Sequence, residues 1–208
     1  MSSLGKDLLS TRQQRSIETR NKLLKSARNV FLENGFHKTT ISQIIKHAET
    51  GYGTAYVYFK NKDELLIVLM EDVMNRFYKI AERSFFPKTK KEAHSMIENQ
   101  VRAFLQLAEE ERNILQVVEE AIGVSKEVRQ KWNDIRERFI SRIIQDITYS
   151  QNNGLARKEL NKAIVAHSWF YMNEAFQWEI VRNEIDVNLE EVVCTLTELY
   201  TAGLYKNE

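Results

Sequence analysis

Hydroxyl, phenol and ammonium side chains follow one another closely between residues 39 and 62, and such groups hold the phosphates of nucleic acids. Thr39 and Thr40 stand where a helix is predicted to begin, so their hydroxyls and the nearby backbone amides suit an anion. Lys60 and Lys62 stand at the start of a later helix, whose dipole adds to the attraction. The spacing indicates a phosphate-binding surface, although lysines taken alone are usually just solvated charges.

Three short helices are predicted to carry these side chains. The first covers residues 17–34 and ends at Gly35, since glycine suits the left-handed position after a helix. Thr40 and Gln43 form a capping box that opens the second helix, and the third covers roughly residues 51–59. A tight turn joins the last two, which is typical of a helix-turn-helix: one helix crosses the DNA backbone and the next lies in the major groove.

The charge is unevenly distributed along the chain. Thirty Lys and Arg against 29 Asp and Glu leave a formal charge of only +1. The first 62 residues, however, carry 11 basic and four acidic side chains, a net charge of +7, and the remainder carries −6. A basic cluster of this size is an electrostatic footprint for polyanions, and the alternative is an ordinary solvated surface.

Composition excludes several classes of protein. Seven Gly and one Pro are too few for the turns of a sandwich or barrel, so an all-α fold is predicted. The single cysteine, Cys194, can form neither an internal disulfide nor a zinc site. No aliphatic run approaches the roughly 18 residues of a membrane span, and the polar first 16 residues lack a signal core. These observations favour a cytoplasmic protein without a membrane partner.

An enzyme is not expected. The four His show no metal-ligand spacing, and no Gly-rich phosphate loop occurs in the sequence. We therefore expect no catalytic residues, no cofactor and no metal.

Six further helices are predicted, which makes nine in all. Asn61 caps a long one that continues to about Phe85 and is broken by Pro87. The others cover about residues 89–111, 113–122 (stopping at Gly123), 125–150, 161–183 and 188–205.

The first 15 residues lack sustained apolar periodicity and are predicted to form a flexible arm. Its basic side chains are Lys6, Arg12 and Arg15. Such an arm is either a disordered tail or a segment that reaches into the minor groove.

A longer pattern extends over about residues 20–70. It comprises FLENGF at 31–36, Thr39 and Thr40, Ile44, Ala48, and GTAYVYFKNKDEL at 53–65. In this spacing the segment resembles the DNA-binding domain of the TetR family of bacterial repressors. The nine-helix layout and the length are similar to that family over the whole chain. The resemblance implies a DNA-binding domain at 15–75, with its helix-turn-helix at about 38–59, and an effector-binding and dimerisation domain at 76–208.

The same resemblance implies which side chains contact DNA. Three residues would face the bases, namely Thr50, Tyr52 and Thr54. The residues that would hold phosphates are Thr39, Thr40, Tyr56, Tyr58, Lys60 and Lys62.

Three positions depart from the family pattern. The family usually has Gly where Glu49 stands, Ser where Gly51 stands and a larger aliphatic residue where Ala55 stands. Glu49 would need a turn conformation that is costly for a residue other than Gly, and its negative charge would lie near the DNA. Gly51 cannot cap the third helix with a side chain.

Base recognition is expected to be unusual. Residues 50–58 contain no Arg, Lys, Asn or Gln, the side chains that make bidentate contacts to bases. Readout would rest on Gln43, on Tyr52 and on the methyl groups of Thr50 and Thr54. The shape and deformability of the operator would then contribute more to specificity than usual.

The acidic remainder holds most of the large side chains, including all three Trp. A helical stripe runs through Trp169, Met172 and Phe176, and such a stripe is normally core. In the TetR family, however, this part encloses an effector pocket, and an apolar lining with a few polar groups suits a small molecule. The predicted pocket consists of Phe104, Val118, Glu119, Trp132, Phe139, Trp169, Asn173, Phe176 and Gln177, with Glu174 as a further orienting group.

The last two helices of this family form a four-helix bundle with those of a second copy. The residues predicted for this dimer interface recur at three- and four-residue spacing and are Leu189, Val192, Val193, Leu196, Leu199 and Tyr200. A two-fold dimer would hold its two recognition helices about 34 Å apart, in successive major grooves of a palindrome. Cys194 is adjacent to this stripe.

These features predict a dimeric repressor that holds a palindromic duplex operator. A small apolar or aromatic effector would enter the second domain, shift the long fourth helix and release the DNA. Two alternatives remain: an activator, or a small-molecule-binding dimer of the same fold whose sequence-specific DNA binding is degraded.

Overall fold

A computed structural model describes residues 10–206 of the chain, and that part contains nine α-helices and no strand. The predicted all-α class is confirmed for these residues. The helices are α1 (Thr11–Lys38), α2 (Ile41–His47), α3 (Tyr52–Tyr58), α4 (Lys62–Ala81), α5 (Lys90–Glu110), α6 (Arg112–Val124), α7 (Lys126–Asn152), α8 (Lys162–Arg182) and α9 (Leu189–Leu204). Within the same residues, no helix is long and apolar enough to cross a membrane.

The chain divides into two compact units, and the division falls between Leu69 and Met70. The predicted domain boundary after residue 75 lies six residues further along. The units are described separately below.

The N-terminal unit is built on the apolar side of α1, against which α2 and α3 pack. Phe31 and Phe36 stack with ring centroids 6.0 Å apart, and Ile44 and Ile45 of α2 are fully buried. Gly35 interrupts α1 with φ 72° and ψ 175°, so the predicted end of the first helix at this residue is confirmed. The chain turns there without a Cβ that would resist positive φ.

The predicted arm is helical over its last residues, because α1 begins at Thr11 rather than near residue 17. Ser10 and Gln13 form a reciprocal capping box, with hydrogen bonds of 3.3 and 2.9 Å. This local signal starts the helix in the absence of apolar periodicity. Arg12 and Arg15 are therefore helix residues exposed to solvent, and Lys6 lies outside the described residues.

The C-terminal unit packs α5 along α9 and α7 along α8. Its helices begin as the sequence predicts: Ser125, Asn161 and Asn188 each accept a hydrogen bond from a backbone N–H in the first turn. Thr89 caps α5 in the same way. The fully buried members of the main apolar cluster include Ala93, Leu105, Ile140, Ile147, Val193, Leu196 and Leu204.

Two predicted helix ends are wrong. α4 ends at Ala81, four residues earlier than expected, and Phe85 follows as a buried residue of the connecting loop. Pro87 therefore does not break the helix, because the chain has already left it. α6 continues through Gly123 to Val124, since Gly in an exposed last turn costs only about 1 kcal/mol relative to Ala.

Candidate nucleic-acid interface and ligand cavity

The turn between α2 and α3 is fixed by its caps. Thr40 accepts a hydrogen bond from the Gln43 backbone N–H at 3.2 Å, and its own N–H donates to the Gln43 Oε1 at 2.7 Å. The predicted capping box is thus confirmed, and both side chains remain exposed. Gly51 precedes α3 without a side-chain cap, as expected for Gly.

The exposed face of α3 is rich in hydroxyl and apolar groups. Tyr52 is 55% exposed, Tyr56 is 47% exposed, and Thr54 is also exposed, whereas Ala55 is buried against α1 and α2. Val57 is 78% exposed and was not predicted as a contact, although its position three residues after Thr54 places it on the same side of the helix. An exposed valine of this kind can meet the methyl group of thymine.

Thr39 does not present its hydroxyl to solvent. The residue is 1% exposed, and its Oγ1 donates to the carbonyl oxygens of Gly35 at 2.7 Å and Val30 at 3.3 Å. The predicted phosphate contact of this hydroxyl is therefore corrected: the side chain closes the end of α1 instead.

Lys62 likewise serves the interior of the N-terminal unit. Its Nζ donates to the carbonyl oxygens of Phe36 at 2.6 Å and Thr39 at 2.9 Å, and lies 4.1 Å from the centre of the Phe36 ring. These contacts satisfy carbonyls that the end of α1 leaves without helical partners. The Lys62 ammonium, predicted to hold phosphate, therefore already donates hydrogen bonds within its own unit, whereas the Lys60 side chain is exposed.

Two more residues that were predicted to contact DNA, Tyr58 and Thr50, donate hydrogen bonds within the N-terminal unit. Tyr58 is half-buried, and its hydroxyl donates to the Ser16 Oγ at 3.0 Å. The Thr50 hydroxyl donates to the Ala48 carbonyl oxygen at 3.0 Å, and the side chain is half-buried.

Glu49 adopts φ 46°, the left-handed conformation expected at a position where the family usually has Gly. Its carboxylate lies 3.6 Å from the Lys22 ammonium, and the Glu49 side chain is 84% exposed. A residue with a Cβ in this region carries backbone strain of about 1 kcal/mol or more.

The C-terminal unit contains a cavity of about 70 Å³ between α5, α7 and α8, which opens to solvent. One side is aromatic, with the Phe139 ring centroid 5.5 Å from that of Phe104 and 6.1 Å from that of Phe170. The lining consists of Ala81, Gln100, Val101, Phe104, Phe139, Arg142, Ile143, Asp146, Trp169, Phe170, Asn173, Glu174 and Gln177.

Five of the nine predicted pocket residues lie in this lining, and they are Phe104, Phe139, Trp169, Asn173 and Gln177. Glu174, expected as an orienting group, lines it as well. The prediction missed the polar pair Arg142 and Asp146 on α7 and Gln100 on α5. Their helical spacing is the signal that would have found them, since Gln100 is four residues before Phe104, and Arg142 and Asp146 are three and seven residues after Phe139.

Four predicted pocket residues lie elsewhere. Val118 is fully buried in the core, and Trp132 is buried with its ring centroid 5.2 Å from that of Trp178. Glu119 accepts a hydrogen bond from Arg182 at 2.6 Å, and Phe176 packs against the main apolar cluster. Each has the apolar or acidic character that the prediction used, but packing directs it away from the cavity.

Glu174 is a buried carboxylate with two donors. Its Oε1 accepts from the Trp132 indole N–H and from the Arg136 Nε, each at 2.8 Å, and the residue is 7% exposed. A buried charge is stable only when it is paired and hydrogen-bonded, and these contacts meet that condition. These two donors therefore hold the Glu174 carboxylate in one position in the cavity wall.

Asp146 and Arg142 are the second pair of acidic and basic side chains in the lining. The Arg142 Nη1 lies 2.9 Å from the Asp146 Oδ1. Arg142 also donates to the carbonyl oxygens of Ala81 and Arg83, each at 3.1 Å, at the end of α4. Burial raises the pKa of Asp146 to about 7, and the neighbouring guanidinium only partly offsets this shift.

The raised pKa predicts a loss of stability as the pH rises. Folded Asp146 keeps its proton up to about pH 7, whereas the unfolded side chain releases it near 3.8, so the folded state binds more protons in between. The stabilisation is complete below about pH 4 and disappears as the pH passes 7. Between pH 5 and 8, wild type should lose about 2–3 kcal/mol more unfolding free energy than Asp146→Asn, measured by urea denaturation. Equal pH dependence of the two proteins would contradict this prediction.

The residues predicted for a dimer interface separate into two groups. Val192, Val193 and Leu196 are at most 4% exposed and pack inside their own chain, so that part of the prediction is wrong. Leu199 is 61% exposed on α9. Leu189 and Tyr200 are half-buried, and the Tyr200 ring stacks on Trp169 with centroids 4.1 Å apart.

Other apolar side chains are exposed on α8. Ile164 is 66% exposed and Tyr171 is 47% exposed, and they stand seven residues apart with Ser168 between them. This spacing places all three on one face of the helix. The exposed side chains of Ile164, Ser168 and Tyr171 on α8 and of Cys194 and Leu199 on α9 are together called the outer face below.

A helix-turn-helix unit joined to a helical unit with an internal cavity defines the class of ligand-responsive DNA-binding regulators. Residues 23–69 match the family model for bacterial regulatory proteins of the tetR family. Residues 97–206, more than half of the chain, match the model for the C-terminal domain of the transcriptional regulator EthR. The chain belongs to the tetR family of bacterial regulatory proteins and is a transcriptional regulator.

Relatives along the whole chain agree with this assignment. The fatty acid metabolism regulator protein of Bacillus subtilis is 26% identical over 185 residues, which cover 88% of this chain and 94% of that protein. A TetR-family transcriptional regulator from Syntrophomonas wolfei has the same fold, with a TM-score of 0.73, 22% identity and coverage of 92% and 99% of the two chains. FadR from Bacillus subtilis, solved in complex with stearoyl-CoA, has a TM-score of 0.67, 23% identity and coverage of 89% and 99%.

Proposed function

We propose that this regulator is a dimeric repressor that releases a palindromic operator when a fatty acyl compound enters the cavity of its C-terminal unit. The observation that carries the proposal is the lining of the cavity, with an aromatic side and a few polar groups. A lining of this kind, largely apolar with convergent polar groups, is typical of small-molecule sites.

The acyl class is supported by two further facts. The relative from Bacillus subtilis is named a regulator of fatty acid metabolism, and the FadR structure holds stearoyl-CoA. The apolar lining of the cavity, with Val101, Phe104, Ile143 and Phe170, suits a hydrocarbon chain.

Arg142 connects the cavity with α4. It lines the cavity and also donates to the carbonyl oxygens of Ala81 and Arg83, where α4 ends. An occupant that displaces the guanidinium would free these carbonyls and alter the last turn of α4. Since α4 is one continuous helix from Lys62 to Ala81, the change would pass along it toward the DNA-binding residues.

The outer face is the proposed dimer interface. Ile164, Tyr171 and Leu199 expose apolar surface that gains free energy when a second copy covers it. The same two helices, α8 and α9, supply all three side chains, which is consistent with a four-helix bundle formed across a two-fold axis.

The exposed side of α3 is the proposed DNA-reading surface, with Thr40, Gln43 and Lys60 beside it. We expect Tyr52→Ala to weaken binding to a selected operator by about 1–3 kcal/mol and to leave binding to random duplex nearly unchanged, since a base contact carries specificity. Mobility shifts at fixed salt measure both. Phe86→Ala, which removes a 67% exposed aromatic ring of the other unit, is the control. Equal losses on both duplexes would assign Tyr52 to the phosphate backbone.

The experiment that tests the proposed function begins with selection of a binding site from a random duplex library. Wild-type protein is then titrated onto the selected duplex with and without stearoyl-CoA. We expect a palindromic site and about 100-fold weaker DNA binding at saturating stearoyl-CoA, which requires roughly 2.8 kcal/mol of differential affinity. Absence of any selected sequence, or DNA binding indifferent to stearoyl-CoA, stearate and coenzyme A alike, would overturn the proposal.

A further inference from the structure

Gln177 lines the cavity and has a buried amide nitrogen without an acceptor. The Nε2 is inaccessible to solvent and makes no hydrogen bond to any of the described residues. A buried donor left without a partner costs about 1–3 kcal/mol, so its persistence in a wall of a cavity calls for an explanation.

The neighbouring polar groups on α8 are already engaged. The Asn173 amide donates to the Trp169 carbonyl oxygen at 2.8 Å, and Glu174 accepts from Trp132 and Arg136. Among the polar side chains of α8 that line the cavity, Gln177 is thus the one whose amide nitrogen has no acceptor among the described residues. The last torsion of a Gln side chain is broad, so the amide can turn toward an occupant at little cost.

The charge of the lining restricts the occupant. The acidic side chains of Asp146 and Glu174 line the cavity together with one guanidinium, Arg142, and the raised pKa of Asp146, about 7, keeps that carboxyl group largely neutral below this pH. Glu174 is three residues from Gln177, on the same side of α8, and an anionic group placed between them would be repelled at short range in a medium of low dielectric constant. An acceptor that carries no charge avoids this repulsion.

We infer that Gln177 is a specificity-determining residue that donates a hydrogen bond to a neutral carbonyl oxygen of the effector, as in a thioester, ester or amide. This inference rests on the proposed acyl effector and names the atom by which its head is recognised. The hydrocarbon would lie against Phe104, Phe139 and Phe170.

The test compares stearoyl-CoA with S-octadecyl-CoA, a thioether that lacks the carbonyl oxygen. Gln177→Met keeps the length of the side chain and removes the amide. The matched control is Gln116→Met, since the Gln116 Nε2 donates to the Val181 carbonyl oxygen at 2.8 Å and Gln116 is not in the lining. Calorimetric titration gives the affinity of each protein for each compound.

Wild type and Gln116→Met should bind the thioester about tenfold more tightly than the thioether, and Gln177→Met should bind the two equally. Without ligand, Gln177→Met should melt about 2 °C higher than wild type, because it removes an unpaired donor, whereas Gln116→Met should melt lower. A role of Gln177 in folding alone would lower the melting temperature and leave the preference for the thioester intact.

Two results would overturn the inference. If Gln177→Met keeps the tenfold preference, the carbonyl is recognised elsewhere while the acyl effector stands. If wild type binds neither compound, the acyl effector fails and the inference fails with it. The first result leaves binding by wild type intact and the second does not, so the two failures are distinguishable.

Discussion

Replacing Leu199 with Glu is expected to convert the proposed dimer into a monomer and to weaken operator binding by about 100-fold or more. Leu199 is 61% exposed on α9, and no neighbour of its own chain covers it as the core covers Leu196, which is 2% exposed. A carboxylate at position 199 remains hydrated in the monomer, but a second copy that covered it would remove it from water without a cationic partner.

The loss of DNA affinity follows from the loss of the dimer. Two reading heads held together bind a palindrome with an effective local concentration that a free monomer lacks, and this factor is about 10²–10⁴. Binding to a single half-site should change little, because Leu199 belongs to the C-terminal unit and the reading surface to the N-terminal one. Molar mass by light scattering and mobility shifts on full and half operators measure the two effects.

Val124→Glu is the matched control for this substitution. Val124 is 52% exposed at the end of α6, and the substitution adds the same charge at a position outside the outer face. It should remain dimeric with wild-type operator affinity. A dimeric Leu199→Glu protein would exclude the outer face as the interface, and a Val124→Glu protein that also dissociates would show that added charge alone is responsible.

The local features of the fold were predictable because their signals lie within a few residues. Thr40 and Gln43 form a capping box, Asn61 caps α4, and Gly35 supplies positive φ, all as the sequence predicts. Each of these depends on one side chain and a backbone group at most four residues away. The resemblance of the first 70 residues to the tetR family predicted, in addition, that these local features belong to one helix-turn-helix.

The hydrogen-bond partners of polar side chains that the sequence places at the surface were not predictable in the same way. Lys62 bonds to carbonyls 26 and 23 residues earlier, and Thr39 to a carbonyl nine residues earlier. Sequence spacing presents both as phosphate-binding groups, because a lysine and a threonine near helix starts have that role when they face solvent. Only the tertiary structure, which brings both side chains to the end of α1, decides that these two face inward.

The two apolar sides of α9 illustrate a second limit. Val192, Val193 and Leu196 share the three- and four-residue spacing that also includes Leu199, so the sequence predicts one hydrophobic stripe as the interface. The structure divides it, since the first three are buried in the main apolar cluster and Leu199 is exposed. Helical periodicity identifies an apolar face but not whether the same chain or a second copy covers it.

Replacing Arg142 with Met is expected to separate effector binding from DNA release. The Arg142 guanidinium holds the Ala81 and Arg83 carbonyls at the end of α4 and also forms part of the cavity lining. Met retains most of the apolar stem and removes every donor. Stearoyl-CoA should still bind, while the factor by which it weakens DNA binding should fall from about 100 to about 10 or less, a loss of roughly 1.4 kcal/mol of coupling.

Arg129→Met tests whether loss of any helix-capping arginine has the same result. Arg129 donates to the carbonyl oxygens of Ile122 and Gly123, each at 3.0 Å, at the end of α6, and it does not line the cavity. In this variant stearoyl-CoA should still weaken DNA binding by the full factor of about 100, although both variants lose two hydrogen bonds to carbonyls at a helix end.

DNA titrations with and without stearoyl-CoA measure this factor for each protein. Full release in Arg142→Met would show that coupling bypasses the end of α4, whereas equal loss in both variants would trace it to general destabilisation. Since coupling is reciprocal, the operator should weaken the binding of stearoyl-CoA to Arg142→Met by the same residual factor of about 10 or less, compared with about 100 for wild type, and a defect in ligand binding alone would not produce this change.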